Sequence, residues 1–426
     1  MTDRGGFEGL DSCVHCGFCL QACPTFLATG DESDSPRGRI ELMRALEAGE
    51  LAPADPGVAL HLDRCLGCRG CEPVCPSGVS YGRALEAARA LLTERRGVPP
   101  LVRAALGALT GAAGGGTRAV YALARFARAT GIPRSLAGWG RLRFAMGMLG
   151  ATAPARKVGG GRWKSVKVGG GTSPNLHQPP PTSTSSTVLL FRGCVMDGLF
   201  SHVHDATIRT LEVNGYAVRE APAQVCCGAL HAHAGLRDEA RRLARTNVAA
   251  FGDDATPIVV NSAGCGAMLK EYGHLVEVPA DGERFAARVR DVSELLVERG
   301  PRPGAPLDVT VAYDPPCHLL HAQRISGPPE RMLGAIPVLR VISMPDAAQC
   351  CGSAGLFTLV EPAMSRAVLA PKLASLAEAR PQVVATGNPG CLMQLGAGLA
   401  AAGVPATVRH PVELLDESYR AAGYYA

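Results

Sequence analysis

At 426 residues the chain has room for about three domains of ordinary size, and 47% hydrophobic with 19% charged residues is the composition of a globular protein. No run of about 18 apolar residues is present to cross a membrane, and Met1 to Leu10 lacks the apolar core of a signal peptide, so a reducing cytoplasm is the expected compartment. The net charge of +5 is uneven: residues 97–187 hold twelve Lys or Arg and no Asp or Glu, whereas acidic residues exceed basic ones before and after that stretch.

In chain order, the first feature is Cys13-x2-Cys16-x2-Cys19-x3-Cys23-Pro24, and the same spacing returns as Cys65-x2-Cys68-x2-Cys71-x3-Cys75-Pro76. This run is the ligand pattern of a 4Fe-4S cluster, and two copies predict two such clusters. Three cysteines spaced by three wrap one corner of a cubane, and the fourth reaches the other cluster. The expected sets are therefore Cys13, Cys16, Cys19 and Cys75 for one cluster, and Cys65, Cys68, Cys71 and Cys23 for the other. Structural zinc also favours Cys-x2-Cys, but as two pairs from separate loops. A disulfide framework belongs to small secreted domains.

Between the runs, Ser35 caps a predicted helix with Pro36 in its first turn, Gly49 at its end, and Ile40, Met43, Leu46 and Ala45 as an apolar stripe. Arg37 and Arg39 lie within it, and either surface or cluster-proximal placement fits. A second helix is expected over 83–96, with Leu85, Ala88, Leu91 and Leu92 on one face. Residues 1–97 thus read as a helical ferredoxin-type domain. Residues 98–150 read as basic helices broken at Gly114–Gly116 and at Gly131-Ile-Pro133, with apolar and Arg positions of Val120–Arg128 on separate faces. Residues 151–187, rich in Gly, Pro, Ser and Thr, read as a flexible linker. A basic amphipathic segment suits an anionic membrane surface or an acidic partner, and a solvated arginine face is the plainer alternative. Nucleic acid is not an expected partner, since no recognition fold or interleaved aromatics accompany the charge.

From residue 188 onward short apolar runs at 188–191, 257–260, 309–312 and 382–385 each lead into a cysteine-containing loop, predicting buried parallel strands with helical crossovers. This half repeats itself. Cys194, Cys226-Cys227-Gly228 and Cys265 recur as Cys317, Cys350-Cys351-Gly352 and Cys391, defining domains 188–303 and 304–426. Parallel strands bring such loops to one carboxyl edge, so each repeat offers four thiols for a further metal centre or for redox chemistry. Reduced, buried cysteines acting as small hydrophobes are the competing reading. His231, His233, His318 and His321 stand near these cysteines as proton donors, ligands or ordinary helix histidines. No Gly-x-Gly-x-x-Gly signature supports nicotinamide or flavin binding, so a hydride acceptor must come from a partner.

With those residues in view, the chain resembles the iron–sulfur subunit of bacterial glycolate oxidase (glycolate dehydrogenase). The resemblance rests on the two ferredoxin runs, Ser35-Pro-Arg-Gly-Arg-Ile40, Cys226-Cys-Gly-Ala-Leu-His-Ala-His-Ala-Gly235 and Asn388-Pro-Gly-Cys391. It implies α plus α/β architecture, with a helical two-cluster domain followed by tandem Cys-Cys-Gly domains. It also implies a soluble or peripheral electron-transfer subunit, cytoplasmic or on the inner face of the cell membrane, that works beside FAD-binding dehydrogenase subunits oxidising glycolate to glyoxylate and passes electrons to an acceptor such as a quinone or a soluble carrier. Two 4Fe-4S clusters, and a further iron–sulfur centre in each Cys-Cys-Gly domain, are the implied cofactors. Heterodisulfide reductase, lactate-oxidation and glycerol-3-phosphate dehydrogenase subunits share the architecture, and a zinc-stabilised scaffold is the non-enzyme alternative. In heterodisulfide-reductase-type domains the last motif is Cys-x2-Cys. Here Ser262 and Asn388 stand at its first position, which argues against the double cluster of those enzymes and against disulfide reduction.

Overall fold

A computed structural model describes residues 4, 6–111, 117–154 and 186–425. Its amino-terminal part is helical. Ser35 Oγ accepts a hydrogen bond from the Gly38 amide at 2.9 Å, and Pro36 opens the helix Pro36–Glu47. Gly38 is required by close packing, since a Cβ there would stand 2.0 Å from the Glu32 carbonyl oxygen. Ile40, Met43 and Leu46 are buried against Leu85, Ala88 and Leu92 of the helix Tyr81–Arg96, as their spacing predicts. Each such aliphatic side chain taken out of water contributes about 1.5–3 kcal/mol. Cys65 and Cys71 sit on the margin of the same core.

The carboxyl-terminal half contains two sheets of one topology. The first holds β1 (Ser186–Phe191), β2 (Tyr216–Glu220), β3 (Ile258–Val260) and β4 (Val289–Asp291), ordered β2-β1-β3-β4. The second holds β5 (Thr310–Tyr313), β6 (Arg340–Ile342), β7 (Val383–Ala385) and β8 (Thr407–Arg409), ordered β6-β5-β7-β8. Every pairing is parallel. The four apolar runs read from the sequence are the central strands β1, β3, β5 and β7, which helices cover. The two repeats share one core: Val188 and Leu190 pack in the same cluster as Val311, Val383, Val412 and Tyr419. Arg209 adds a two-pronged ion pair to Asp416 across the repeats, at 2.7 and 2.9 Å.

Four helices, Pro100–Thr110, Thr117–Ala129, Ile132–Ser135 and Arg141–Ala151, make up the described part of the basic segment. Gly131, at φ 76°, breaks the chain where Gly131-Ile-Pro133 was expected to do so. The expected break at Gly114–Gly116 and most of the expected linker, 155–185, lie outside the described residues. The helix Arg141–Ala151 lies against Pro389–Ala402, where a Cβ on Gly396 would come within 2.4 Å of Ala151 Cβ. The expected separation of apolar and Arg positions in Thr117–Ala129 does not hold: Tyr121 is buried on the same face as Arg125 and Arg128, which point inward, while Arg118 is exposed with Val120, Leu123 and Phe126. Arg125 donates to Gly198 O at 3.0 Å, and Arg128 to Leu199 O at 2.6 Å and Thr152 O at 2.7 Å. The reason is that the helix Val195–Leu199 ends there with carbonyls that lack helical partners. Leu123 and Phe126 are left 69% and 70% exposed. Among the described residues no helix is long and apolar enough to cross a membrane.

Candidate functional site

The two ferredoxin loops have one backbone shape. The second and fourth residues after the first cysteine, His15 and Gly17 in one loop and Gly67 and Arg69 in the other, all have positive φ, between 56° and 81°. Glycine suits that region, and His15 and Arg69 adopt it without a glycine's freedom, so the loop shape overrides local preference. Cys13, Cys16, Cys19 and Cys75 line one cavity, walled by Phe18, Ile40 and Val79. Cys71 lines it as well. Cys23 lies on the other side, close enough to Cys65 for the two thiols to repel, and Cys71 is pushed well up by burial and then by Cys68, Cys65 and Cys23. Cys75 thus shares a cavity with the first three cysteines of the other run, and Cys23 lies near Cys65 and Cys71.

No three of these thiols come within 4.8 Å of one another among the described residues. A tetrahedral zinc with bonds of about 2.3 Å would draw all four sulfurs to roughly 3.8 Å apart. The wider arrangement, made of thiols on separate walls of a largely apolar space, fits a cluster whose ligands stand on different iron atoms.

Cations flank the inner set. Arg39 is fully buried, donating to His61 O at 2.7 Å, Thr25 Oγ1 at 3.0 Å and Asp34 Oδ1 at 3.2 Å, with Cys23 Sγ at 3.9 Å. Arg89 holds the main chain of the second loop, donating to Leu62 O at 3.0 Å and Cys65 O at 2.6 Å. Burial opposes ionising Cys65, but Arg39, Arg89 and the Tyr81 hydroxyl outweigh it and bring the thiol down. Arg37 stays at the surface, paired with Glu32 at 2.7 Å. Sequence reasoning left Arg37 and Arg39 unassigned. The signal was the Arg-Gly-Arg itself, whose glycine permits the close packing that buries Arg39.

The Cys-Cys-Gly cysteines converge as expected at the carboxyl edges of the sheets. Cys194 and Cys317 follow β1 and β5, the Cys pairs follow β2 and β6, and Cys265 and Cys391 lie in the first turns of Ala263–Leu269 and Pro389–Ala402. Cys194 and Cys226 sulfurs are 3.3 Å apart, Cys227 and Cys265 3.4 Å, Cys317 and Cys350 4.0 Å, and Cys351 and Cys391 3.3 Å. All are free thiols. Gly228 and Gly352, at φ 90° and 81°, turn the chain so that adjacent cysteines share a site. Hydrogen bonds from Cys194 and Cys227 pull Cys226 well down, while the same bonds push Cys194 and Cys227 up, so one quartet does not ionise together without a cation. The positions of the absent fifth thiols are used for joining the repeats. Asn388 Oδ1 accepts from the Gly264 amide at 3.0 Å while its Nδ2 lies 3.6 Å from Cys391 Sγ, and Ser262 precedes Ala263, whose amide donates to Gly387 O at 3.0 Å.

What the sequence did not reveal is how the two halves meet. The Cys350 thiol lies beside Cys68 and is the largest influence lowering it. Leu66 packs with Cys317, Cys350 and Phe357. Arg69 forms an ion pair with Glu271, Arg89 donates to His233 O at 3.2 Å, and Thr93 to Ala234 O at 3.1 Å. Of the four histidines noted, His233 and His318 stack with ring centres 5.6 Å apart, and His318 Nδ1 lies 3.8 Å from Cys317 Sγ. His231 is buried, and His321 Nε2 pairs with Ala348 O at 3.0 Å.

Residues 9–79 match the family described as 4Fe-4S dicluster domain, and residues 188–270 and 311–396 each match the cysteine-rich domain family. A Bacillus subtilis protein described as a probable glycolate oxidase iron–sulfur subunit is 35% identical, over 97% of this chain and 94% of its own length. The Escherichia coli glycolate oxidase iron–sulfur subunit is 32% identical, over 96% of this chain and 94% of its own. Lactate utilization protein A of Geobacillus kaustophilus is 32% identical over 54% of this chain and 98% of its own.

Proposed function

Given that the chain belongs to the family of glycolate oxidase iron–sulfur subunits, we propose that it passes electrons from glycolate oxidation, carried out on an FAD-binding partner subunit, to a quinone. As an iron–sulfur electron-transfer protein it needs residues that hold clusters and residues that set their surroundings. Cys13, Cys16, Cys19 and Cys75 would hold one 4Fe-4S cluster, and Cys65, Cys68, Cys71 and Cys23 the second. Cys194, Cys226, Cys227 and Cys265, and in the second repeat Cys317, Cys350, Cys351 and Cys391, would hold one further iron–sulfur centre each. When bound, such centres accept and release electrons singly. Arg39 and Arg89 stabilise thiolate charge at the inner set, whose Cys23, Cys65 and Cys71 are buried, whereas Cys16 of the other set is exposed.

The observation that carries the reading is the packing of Cys68 against the buried cluster of Leu66, Cys317 and Cys350. It sets a proposed ligand of the ferredoxin domain against a proposed ligand of the second Cys-Cys-Gly domain, as a relay requires. Asn388, which accepts from the Gly264 amide at the joint between repeats, and Ser262 stand where a fifth thiol would, leaving none for a disulfide-reducing centre. Protein purified without oxygen should contain iron and acid-labile sulfide and give a reduced-cluster EPR signal. Zinc in place of iron would overturn the reading. Coexpressed with its flavoprotein, it should support dye reduction with glycolate, and reduction with lactate or glycerol-3-phosphate alone would reassign the substrate.

A further inference from the structure

Among the described residues sixteen large apolar side chains are exposed, and six of them fall between positions 120 and 142 of the basic segment: Val120, Leu123, Phe126, Ile132, Leu136 and Leu142. Single exposed apolar residues are ordinary on a protein surface, whereas such a concentration marks a place of contact. The helix Thr117–Ala129 holds its centre. At about 100° per residue, Ala119, Leu123 and Phe126 share the face opposite the buried Tyr121. Val120 flanks that face on one side, and Ala122 and Arg118 on the other, all of them exposed. The two helices that follow pack against this one, and Ile132, Leu136 and Leu142 lie in and between them.

Charge identifies what covers this face. Arg118, Arg134 and Arg143 are exposed in the same three helices, and among the described residues none of them has an acidic partner. Exposed arginines elsewhere do pair, Arg242 with Glu239, Arg284 with Asp281 and Arg340 with Asp308. The cause is compositional: residues 97–187 contain no Asp or Glu, and residues 155–185 add five more cations that repel these arginines. Protein interfaces fix register by setting positive patches against negative ones, and a face of one sign supplies no such pattern. A second copy of this chain would set like charge on like. A uniformly negative surface meets the demand. An anionic bilayer is one, and it also takes the apolar side chains of an amphipathic helix about 5–10 Å into its interface.

We propose that the outward face of Thr117–Ala129 rests on an anionic phospholipid bilayer, with Leu123 and Phe126 entering the acyl boundary and Arg118, Arg134 and Arg143 against lipid phosphates. Arg125 and Arg128 take no part, because they donate inward to Gly198 O and Leu199 O and so fasten the helix to the protein. Tyr121 completes that inner attachment at Gly198, where a Cβ would stand 2.5 Å from its ring. Gly198 belongs to the helix that begins after Cys194. One helix, about 10 Å thick, therefore lies between the lipid and the first Cys-Cys-Gly repeat. Since no described helix is long and apolar enough to cross a membrane, the contact is peripheral and weakens with salt.

The test uses the full chain, purified anaerobically with its iron, and flotation with two kinds of vesicle: phosphatidylcholine alone, or phosphatidylcholine and phosphatidylglycerol in equal parts. The protein should float with the mixed vesicles and bind the neutral ones at least tenfold more weakly. Arg118→Gln should weaken binding about fivefold, and the triple variant with Arg134→Gln and Arg143→Gln about a hundredfold, at the worth of one arginine near an anionic surface. Leu123→Ser with Phe126→Ser should abolish flotation while melting temperature and iron content stay unchanged. Phe126→Trp keeps an apolar ring, so it should still bind, with its emission shifted to the blue on the mixed vesicles. Failure to float, equal binding to both vesicles, or flotation that survives the double serine variant overturns the proposal. So does a protein that ignores vesicles but loses self-association or its flavoprotein partner in that variant, since the face would then be a protein interface. Vesicles alone are the probe, so the outcome is independent of whether the chain carries electrons, on which the EPR signal reports separately.

Discussion

Replacing Arg39 with Met tests whether the buried guanidinium tunes the inner cluster site. Its distance to Cys23 Sγ is 3.9 Å, and the side chain is 0% exposed, so water screens the pair little. At an effective dielectric of about 20, unit charges at that distance interact by about 4 kcal/mol. For a one-electron couple, at 59 mV per tenfold change, that corresponds to roughly 180 mV. An added electron spreads over a whole cluster and does not reside on one sulfur, so a shift on the order of 100 mV is expected. The sign follows from charge: a cation favours the more negative, reduced state, so Arg39→Met lowers the potential of the centre proposed at Cys23, Cys65, Cys68 and Cys71. Stability also falls, by about 3 kcal/mol, the lower end for a broken buried pair, because His61 and Arg64 still serve Asp34. Arg39→Lys should restore most of the potential but little stability, since an ammonium cannot span the three acceptors of the planar guanidinium. EPR-monitored redox titration separates the two ferredoxin centres. Unchanged potentials in a fully loaded Arg39→Met protein, or equal shifts at both centres, would refute the reasoning.

Gly235→Ala should loosen the joint between the ferredoxin domain and the first repeat, because the residue has φ 75° and its Cβ would stand 2.3 Å from Arg89 O. Limited proteolysis reads this out, and Gly300→Ala, with φ 75° but open space, should cost only the backbone strain of about 1–3 kcal/mol. Arg128→Ala removes donors from two chain-end carbonyls and should lower stability by about 2 kcal/mol, whereas Leu123→Ser on the exposed face should stay within about 0.5 kcal/mol. Thermal melting compares the two. Burial first, with nearby cationic groups, lowers His202 and His204 to about 4, and burial lowers His410 to about 3. Their folded values lie below the unfolded value of about 6.5, so stability is intact above that pH and falls as the unfolded chain takes up protons. Three such groups should cost about 4 kcal/mol between pH 7 and 5.5, and urea unfolding that shows no such loss would show that these rings are not held neutral.

The cysteine pattern alone specified much of the site. Cys75 lines one cavity with Cys13, Cys16 and Cys19, the set expected from the two runs, and with Cys71. The repeat of Cys194 through Cys265 as Cys317 through Cys391 likewise foretold two sheets of one topology, since sequence period and structural period coincide. The central strands were legible because they are buried on both faces and so must be continuously apolar. Arg340–Ile342 and Val289–Asp291 were not, because flanking strands three residues long carry charge and no usable period.

Other features arise from contacts between distant segments. Periodicity in Thr117–Ala129 does not say which face is inner; the carbonyls of Gly198 and Leu199 hold Arg125 and Arg128 inward beside the buried Tyr121. No local pattern buries Arg39, which needs acceptors from Thr25, Asp34 and His61 together. The placement of Cys68 beside Cys350, far away along the chain, depends on packing of Leu66 and ion pairing of Arg69 with Glu271. A sequence lists which thiols can bind metal, but the spacing between centres is fixed by how whole domains bury their surfaces against one another, and only the folded chain supplies that.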